Sequence, residues 1–472
     1  MTISLGNRAK MSTSTTGTGT ITLGSAVSGF QTFADAGITN GQTVRYAIDD
    51  GANFEIGSGT YTSSGTTLTR SVTESSNSDS AISLSGSAEV FIAATVADLN
   101  PLYAANESSP SAQPSATGVN AVAIGDSSVS SGADSLAFGD GATASSTRST
   151  AIGYNATSSS INSTAIGPNA TSSNFYTVAI GSPSNGTGSV ATSAFSAIAI
   201  NGYASGTDSF AAGVASNSSS YGATGANSVA IGKLAKATGA ESTAIGESST
   251  ASSANSVAIG DSNTSSATRS VSLGFNNTAG GITSVAIGSS NTATGTGGYV
   301  AYAFGNTNTA TGIGSVALGT EAKATIKTQI AMAAGKFAAV GDAQGSTFIL
   351  RSDTTDATAE ALTTNNSTAA ADNQIVAASD TCITFHGTIT AMQNGAQAYA
   401  GWEIKGMLVN DGGTTSLALG NVSDMAATNA SSWAVALSAD NTNNALKIQV
   451  TGEASHNIRW VANVQTAEVT YA

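Results

Sequence analysis

A short phrase that recurs at a fixed interval constrains this chain more than any other feature. Five copies read Val-Ala-Ile-Gly, at Val122–Gly125, Val178–Gly181, Val229–Gly232, Val257–Gly260 and Val285–Gly288. Looser copies fill the intervals, at Leu136–Gly139, Thr150–Gly153, Thr164–Gly167, Thr243–Gly246, Val271–Gly274, Tyr302–Gly305 and Val316–Gly319. The closing glycines at 125, 139, 153, 167 and 181 are 14 residues apart, as are those at 232, 246, 260, 274 and 288. A fixed short period dictates a repeat architecture.

Each repeat is too short for two packed helices but suits one coil of a β-solenoid, with two strands and two turns. In Val122-Ala123-Ile124 the side chains alternate, so Val and Ile share one face and the small Ala takes the other. Gly125 then supplies the backbone freedom of a turn. So thin a coil predicts small residues inside and a bulky Val/Ile stripe outside.

We expect three chains to bury these stripes against one another around a common axis. Roughly fifteen coils, stacked about 4.8 Å apart, make a rod of about 70 Å. The alternative is a disordered Ser/Thr/Gly/Asn tract, but disordered segments do not keep a Val-x-Ile pair on a fixed period. Two irregular intervals, 181–232 and 288–305, are interpreted as loops that bulge from the rod.

The phrase Asn255-Ser256-Val257-Ala258-Ile259-Gly260 and its neighbours resemble the head repeats of trimeric autotransporter adhesins. That resemblance implies a trimeric left-handed parallel β-roll with a 14-residue repeat. It covers under half of the chain, and we expect neither a long heptad stalk nor a membrane-anchor barrel, because the sequence shows the pattern of neither.

Composition excludes several classes of function. The 472 residues carry 29 acids and 15 bases, for a formal net charge of −14. An acidic chain without a Lys/Arg cluster is a poor nucleic-acid binder. One cysteine, Cys382, excludes an intrachain disulfide framework and a zinc cluster. We therefore expect no cofactor and no metal.

The first residues, Met1-Thr2-Ile3-Ser4-Leu5, lack the apolar core of a secretory leader, so Sec export is not expected. No stretch reaches 18 apolar residues, so the chain is not expected to be embedded in a membrane. Assembly in a host cytoplasm onto a virus particle is the simplest route for such a rod to reach its site.

Residues 1–99 are predicted to form a β-sandwich or barrel, since short alternating strands recur every 8–12 residues. The strands are expected at Thr20–Leu23, Thr43–Ile48, Phe54–Gly57, Thr60–Tyr61, Thr67–Arg70 and Val90–Ala93. The segments Gly17–Thr20, Ser28–Phe30, Tyr46–Ile48 and Gly57–Tyr61 resemble N-terminal modules of tailed-phage tail fibres and other virion proteins. The resemblance implies attachment to a particle; a generic β module without a partner is the alternative.

Residues 100–120, with Pro101, Pro110 and Pro114, are predicted to be a linker or cap, and residues 121–335 the shaft. Residues 336–472 are predicted to be a β-sandwich or jelly roll. Its strands are expected at Cys382–Met392, Ala398–Val409, Thr415–Leu419, Trp433–Ser438, Ala445–Thr451 and Ile458–Thr470. Four segments resemble the distal domain of phage tail fibres: Gly341–Ser346, Ser438–Asp440, Leu446–Glu453 and Ile458–Ala462.

Catalytic patterns are weak throughout. The glycine clusters lack the Lys and helix of a phosphate loop. Acids in the repeat are too sparse and unphased to form the carboxylate pairs of a glycoside hydrolase, although a site across chain boundaries stays open. Tyr399, Trp402 and Trp433 are candidates for receptor contact, because exposed aromatic rings stack on sugars; a core position is the alternative for each.

The sequence thus favours a homotrimeric, non-enzymatic fibre of a phage tail. Its N-terminal domain would bind other virion proteins, and its distal domain would bind a host surface glycan or outer-membrane receptor. Multivalency would raise its avidity. The alternatives are a tailspike that degrades polysaccharide and a purely structural head or tail decoration fibre.

Overall fold

The fold was analysed in a computed structural model, which describes residues 3–95, 98, 112–181, 189–192, 195–213, 220–395 and 397–471. Contacts divide the chain into two compact units, Met1–Ser111 and Ala112–Ala472. The described residues of the first unit contain the strands β1 (Ile3–Ser4), β2 (Lys10–Thr13), β3 (Thr16–Gly17), β4 (Ile21–Ala26), β5 (Thr43–Asp50), β6 (Asn53–Thr62), β7 (Thr67–Leu68), β8 (Ser71–Ser75), β9 (Leu84–Ser85) and β10 (Glu89–Ile92).

The first unit is a barrel-like sheet. Its strands pair in the order β5-β10-β2-β4-β7-β6, and β6 pairs back with β5, which closes the ring. Phe33, Tyr46, Tyr61 and Leu68 are among the buried side chains that fill it. Of the two predicted forms, sandwich or barrel, the closed ring corresponds to the barrel. The segments predicted as two strands, Phe54–Gly57 and Thr60–Tyr61, are parts of one longer strand, β6.

One buried ion pair crosses the inside of this barrel. The Glu55 side chain is fully buried; its carboxylate accepts hydrogen bonds from Arg70 Nε (2.8 Å), Tyr46 Oη (2.8 Å) and the Ile82 backbone N–H (2.9 Å). Burial alone would raise the pKa of Glu55, but the hydrogen bond from Arg70 and those from Ile82 and Tyr46 hold that pKa below its usual value. The barrel therefore carries an ionised carboxylate at neutral pH.

The second unit begins with a parallel β-solenoid of about fifteen coils, each of which contributes one strand to each of two sheets. The first of these sheets holds the odd-numbered strands: β11 (Ser115–Ala116), β13 (Val129–Ser130), β15 (Thr143–Ala144), β17 (Thr157–Ser158), β19 (Thr171–Ser172), β21 (Val190–Ala191), β23 (Tyr203–Ala204), β25 (Gly222–Ala223), β27 (Lys236–Ala237), β29 (Thr250–Ala251), β31 (Thr264–Ser265), β33 (Thr278–Ala279), β35 (Thr292–Ala293), β37 (Thr309–Ala310) and β39 (Lys323–Ala324).

The second sheet holds the even-numbered strands, which contain the repeated phrase: β12 (Val122–Ile124), β14 (Leu136–Phe138), β16 (Thr150–Ile152), β18 (Thr164–Ile166), β20 (Val178–Ile180), β22 (Ile198–Ile200), β24 (Phe210–Ala212), β26 (Val229–Ile231), β28 (Thr243–Ile245), β30 (Val257–Asp261), β32 (Val271–Phe275), β34 (Val285–Ser289), β36 (Tyr302–Asn306), β38 (Val316–Thr320) and β40 (Ile330–Ala334). Neighbouring strands are parallel and pair one repeat apart, as in Val257↔Val271 and Ala258↔Ser272. The predicted 14-residue β-roll is confirmed.

The two irregular intervals differ in what the structure describes. The copies at β22 and β24 stay in register with their neighbours, but the predicted loops around residues 182–188, 193–194 and 214–219 lie outside the described residues. The interval before β36 contains a 3-10 turn, Thr296–Gly298, which is an insertion in an otherwise regular coil. Residues 100–111 of the predicted linker or cap at 100–120 are also outside the described residues, whereas its last part contains β11, which pairs with β13 of the roll. The division into domains stays a prediction.

Small side chains fill the inside of the roll. The second residue of each even-numbered strand is Ala or, at Ser272, Ser, and all are buried, as is the second residue of nearly every odd-numbered strand. A buried Ser or Thr precedes most even-numbered strands; Ser256, for example, donates from Oγ to the carbonyl of Ser253 at 2.6 Å. Because the coil leaves no room for larger groups, the bulky residues of the phrase point outward.

A ladder of buried asparagines runs through the second half of the roll. Asn263, Asn277, Asn291 and Asn308 occupy the same place in successive coils, and each is fully buried. Asn291 Nδ2 donates to Asn277 Oδ1 at 3.0 Å, and Asn308 Nδ2 donates to Asn291 Oδ1 at 3.0 Å. The amides also donate to backbone carbonyls of their own coil and the next, as Asn291 does to Ile287 and Gly305. The ladder thus ties adjacent coils together through satisfied polar groups.

The C-terminal part continues directly from the last coil, because β40 pairs antiparallel with the next strand. It contains β41 (Ala343–Thr354), β42 (Ala359–Ala361), β43 (Ile375–Val376), β44 (Thr381–Gln393), β45 (Tyr399–Asp411), β46 (Thr414–Thr428), β47 (Ala434–Asp440), β48 (Ala445–Thr451) and β49 (Ile458–Thr470). The long strands pair antiparallel in the order β41-β49-β44-β45-β46 and extend the sheet of even-numbered strands to twenty.

A smaller sheet, in which β48 pairs with β42, β43 and β47, packs against the long strands. Residues of both sheets form one core, which includes Phe348, Ile404, Ile448 and Trp460. The C-terminal domain is therefore a two-layered, β-rich sandwich, as one of the two predicted forms requires. Five predicted strands match within about two residues, but Thr415–Leu419 is only the first third of β46.

Candidate assembly and binding surfaces

The outer faces of the two sheets in the roll differ sharply. The third residue of every even-numbered strand is Ile, Leu, Phe or Met, except Ala212, and most first residues are Val, Ile, Leu or aromatic. We call these first and third residues the apolar stripe. The first residue of the odd-numbered strands is Thr in eight cases and Lys in two; we call this column the threonine stripe. Only the apolar stripe has the composition of a buried surface.

Much of the apolar stripe is exposed to solvent in a single chain. Phe138 is 50% exposed, Leu318 43%, and Ile259 and Ile287 are 36% and 37% exposed. Single apolar residues on a surface are ordinary, but a continuous ladder through fifteen strands is not. A contiguous exposed apolar surface of this kind marks an interface with another molecule.

The turns present a second, polar surface. One or two non-glycine residues in each coil have left-handed backbones, among them Asn255 (φ 57°) and Ser262 (φ 57°). Their side chains stack at the interval of one coil: Asn255 Nδ2 donates to Glu241 Oε2 at 2.5 Å, and Lys233 Nζ pairs with Glu247 at 2.6 Å. The sequence phrase did not disclose these positions, because many residue types occupy them.

Glycine ends the repeated phrase for a steric reason. Gly246, Gly260 and Gly274 have φ values of 111°, 119° and 114°, which L side chains rarely adopt. A Cβ on Gly260 would lie 2.0 Å from the carbonyl oxygen of Gly274 in the next coil. The glycine ladder thus allows coils to stack at the spacing of strands. The sequence predicts the backbone freedom of Gly125, where φ is 121°, but not this close approach of coils.

The three residues predicted to contact a receptor lie in different environments. Tyr399 is 50% exposed at the start of β45, opposite Met392. Trp402 and Trp433 are buried, and both pack on Trp460, with ring centroids 5.4 and 5.7 Å away. The two tryptophans occupy the core position that the sequence left as their alternative. Receptor contact stays a prediction for all three.

A cleft of about 270 Å³ lies between the last coil and the C-terminal sandwich. Its acids already have partners: Asp342 accepts the backbone N–H groups of Phe337, Ala338 and Ala339 at 2.6–2.9 Å, and Glu468 accepts from Gln344 Nε2 at 2.9 Å. Those hydrogen bonds hold the pKa of Asp342 below its usual value, although its desolvation acts to raise it. The geometry at this cleft is that of a structural junction.

His386 lies on an exposed strand face, where its Nε2 is 2.8 Å from Glu403 Oε1. The hydrogen bond to His386 and the nearby Lys405 lower the pKa of Glu403. Among the residues that the structure describes, no cluster of three or more His, Cys, Asp or Glu side chains is placed to hold a metal ion. Within the same residues, no helix is long and apolar enough to span a membrane.

Comparison with protein families gives one match. The YadA head domain repeat matches at residues 116–142, 130–156, 144–170, 158–182, 223–249, 237–263, 251–277 and 301–322. These overlapping stretches cover under a third of the chain. The comparison with curated proteins found no match. The roll therefore contains repeats of the YadA head type, in agreement with the resemblance to trimeric autotransporter adhesins.

Proposed function

We propose that this chain is a homotrimeric, adhesin-like fibre of a virion, which adheres to a host cell surface by multivalent binding. The single observation that carries the proposal is the apolar stripe, which runs unbroken along the roll and is left exposed by one chain. Because the coil interior is filled by its own alanines and serines, the chain cannot cover the stripe by refolding around it. Copies of the same chain supply a matching surface in register.

The number three follows from the resemblance to the trimeric adhesins. In a trimer with cyclic symmetry, the three apolar stripes would face a common axis and form a closed interface in which all of them are buried. The threonine stripe and the stacked polar turns would then face solvent, which suits a chain of net charge −14. Lateral aggregation of such rods is opposed by that charge.

Adhesion without catalysis is proposed because the described surfaces offer shape and repetition rather than a reactive cluster. A trimer presents every surface feature three times, and linked binding raises avidity by about 10²–10⁴ over one contact. A weak glycan contact at each tip would thereby hold a particle on a cell. We place the cell contact at the distal domain, residues 336–472.

The virion context is proposed from the resemblance of both flanking domains to phage tail-fibre modules. The N-terminal barrel would bind another virion protein, and the fibre would assemble on particles in a host cytoplasm. Gold-labelled antibodies against the chain would then mark fibres on particles released from cells that express it. Labelling of cell envelopes with bare particles would contradict the virion assignment while leaving adhesion open.

A competition assay tests the adhesive function. Pre-incubation of host cells with the intact chain is expected to block adsorption of particles that carry it. Ile287→Asp places a charge in the apolar stripe, so it should weaken assembly and raise the concentration needed to block by about 100-fold or more. Thr292→Asp puts the same side chain on the threonine stripe of the same coil and should leave blocking unchanged.

Two outcomes would overturn the proposal. Absence of blocking by the assembled chain would favour the structural decoration fibre. Release of soluble saccharide from host envelopes by the assembled chain would favour the tailspike alternative, since the proposed adhesion breaks no covalent bond.

A further inference from the structure

The apolar stripe does not stop where the roll ends. In the pairing of β40 with β41, Ile330 lies opposite Thr347 and Met332 opposite Gly345, while Ala331 and Ser346 face the interior. Residues directly opposite in an antiparallel pair share one face of the sheet. The exposed face of the roll therefore continues without interruption onto β41, where Thr347 is followed by Ile349.

The same face extends across the other long strands. Thr347 lies opposite Gln465 of β49, Gln465 opposite His386 of β44, and His386 opposite Lys405 of β45. We call the outward residues of β41, β49, β44, β45 and β46 the outer sheet face. It belongs to the same twenty-stranded sheet as the apolar stripe.

Large apolar side chains are spread over this face, and about half or more of the surface of each is exposed. They include Ile349 (48%), Val461 (47%), Val469 (48%), Tyr399 (50%), Met392 (61%) and Leu419 (61%). The outward residues of the opposite layer are small or polar: Ala434 and Ala436 on β47, and Lys447, Gln449 and Thr451 on β48. The layer of β47 and β48 thus has the small and polar surface expected of a solvent-facing sheet, whereas the outer sheet face exposes large apolar side chains.

The charges of the outer sheet face balance. Its cations are Arg351, Lys405 and Arg459, and its acids are Asp353, Glu403 and Asp411. The whole chain has a formal net charge of −14. A neutral face with both signs interspersed can meet a copy of itself without the repulsion that the rest of the surface would cause.

We infer that the outer sheet face is a subunit interface, on which further copies of this chain pack, so that the C-terminal sandwich fixes the register of the assembly. The inference rests on the homotrimer of the proposed function and extends its interface beyond the YadA-type repeats. Coils that repeat every 14 residues can pair with partners shifted by one coil at small cost, whereas the aperiodic outer sheet face allows one alignment. Tyr399 then lies at a boundary between chains.

Thiol labelling of the assembled chain tests this inference. In a Cys382→Ser background, Ala467→Cys places a reporter on the outer sheet face, and Ala436→Cys places the matched control on the opposite layer. Both alanines are exposed strand residues in one chain. We expect a maleimide to react at least about tenfold more slowly at position 467 than at 436, with equal rates after unfolding in guanidinium. Thr390→Cys, which lies opposite Val461 on the same face, is a second reporter.

The mass of each labelled sample separates the two proposals. A three-chain assembly with equal rates at 467 and 436 would overturn the inference and leave the trimer standing; the face would then be free for a receptor. A single-chain mass for the unaltered chain would overturn both. Loss of assembly in Ala467→Cys and Thr390→Cys, but not in Ala436→Cys, would support the interface.

Discussion

Gly260, the fourth residue of the even-numbered strand β30, has a φ of 119° and lies directly beside Gly274 of the next coil. Two separate costs meet at this residue. A left-handed backbone costs an L residue about 1–2 kcal/mol. A Cβ would also lie 2.0 Å from the Gly274 carbonyl oxygen, so that coils would have to move apart.

Gly260→Ala is therefore expected to destabilise its coil by about 3 kcal/mol or more. Gly298→Ala is the control, because Gly298 also has a positive φ (81°) but has open space around its Cβ position. It should cost only about 1–2 kcal/mol. Hydrogen exchange of peptides from residues 257–275 and 295–306 measures the loss of local stability in each variant. Equal losses would show that the coils do not approach each other as closely at Gly260 as described.

Ionisation of Glu55 makes the stability of the N-terminal barrel depend on pH, and this contribution to stability is lost in acid. Its pKa in the fold lies below the ordinary value of 4.5, so ionisation stabilises the fold above about pH 4.5, and this stability is lost as the pH falls through the lower folded pKa. Arg70 stays charged throughout and is left without its partner in acid.

Glu55→Gln is expected to cost the barrel about 3–5 kcal/mol at pH 7, because Arg70 becomes a buried charge without a counter-ion. The difference from the unaltered chain should shrink as the pH falls below 4.5 towards the lower folded pKa of Glu55. Hydrogen exchange of peptides from residues 43–62, compared at equal pH, measures it. A difference that stays constant from pH 7 down to pH 3 would mean that ionisation of Glu55 does not stabilise the fold.

Among the elements, the ladder of asparagines shows how a polar interior is tolerated. Asn291→Ala leaves the buried Asn308 N–H without its acceptor. It also removes one of the two donors to Asn277 Oδ1, which keeps the backbone N–H of residue 291. An unsatisfied buried group costs about 1–3 kcal/mol, so we expect a loss of about 2 kcal/mol or more. Chemical denaturation checks the value.

The matched control is Asn276→Gly, which removes an exposed amide from a left-handed turn (φ 52°) in the neighbouring coil. It should change stability by about 0.5 kcal/mol or less. A similar loss of stability in both variants would show that the ladder of asparagines does not stabilise the roll.

The sequence predicts those elements whose residues follow a periodic pattern and misses those that depend on contacts between distant residues. The roll was predictable because the Val-x-Ile pair alternates every two residues and recurs every 14. Residues 420–428 of β46 lack that alternation, so the strand was predicted to end at Leu419, although backbone pairing with β45 carries it to Thr428. Closure of the barrel and the pairing of β40 with β41 depend on contacts between distant residues, which one sequence does not disclose.

The candidate surfaces follow the same rule. The apolar stripe was predicted, since it is the outward half of an alternating strand. The burial of Trp402 and Trp433 was left open, because a tryptophan in an alternating strand lies in the core or on the surface according to which face the second sheet covers. The outer sheet face was not predicted, because its continuity with the apolar stripe depends on the pairing of β40 with β41.

For the whole molecule, the central claim is that sister chains cover the apolar stripe. Three proposals about the assembled molecule depend on it: the avidity of the fibre, the orientation of the threonine stripe towards solvent and the register set by the C-terminal sandwich. A chain whose stripe stayed exposed would be expected to aggregate through it.

Light scattering of the purified, full-length chain tests this claim most directly. One chain has a mass of 46.0 kDa. We expect a monodisperse species of three times that mass, unchanged on dilution across the micromolar range. A folded, monodisperse species with the mass of one chain would contradict it.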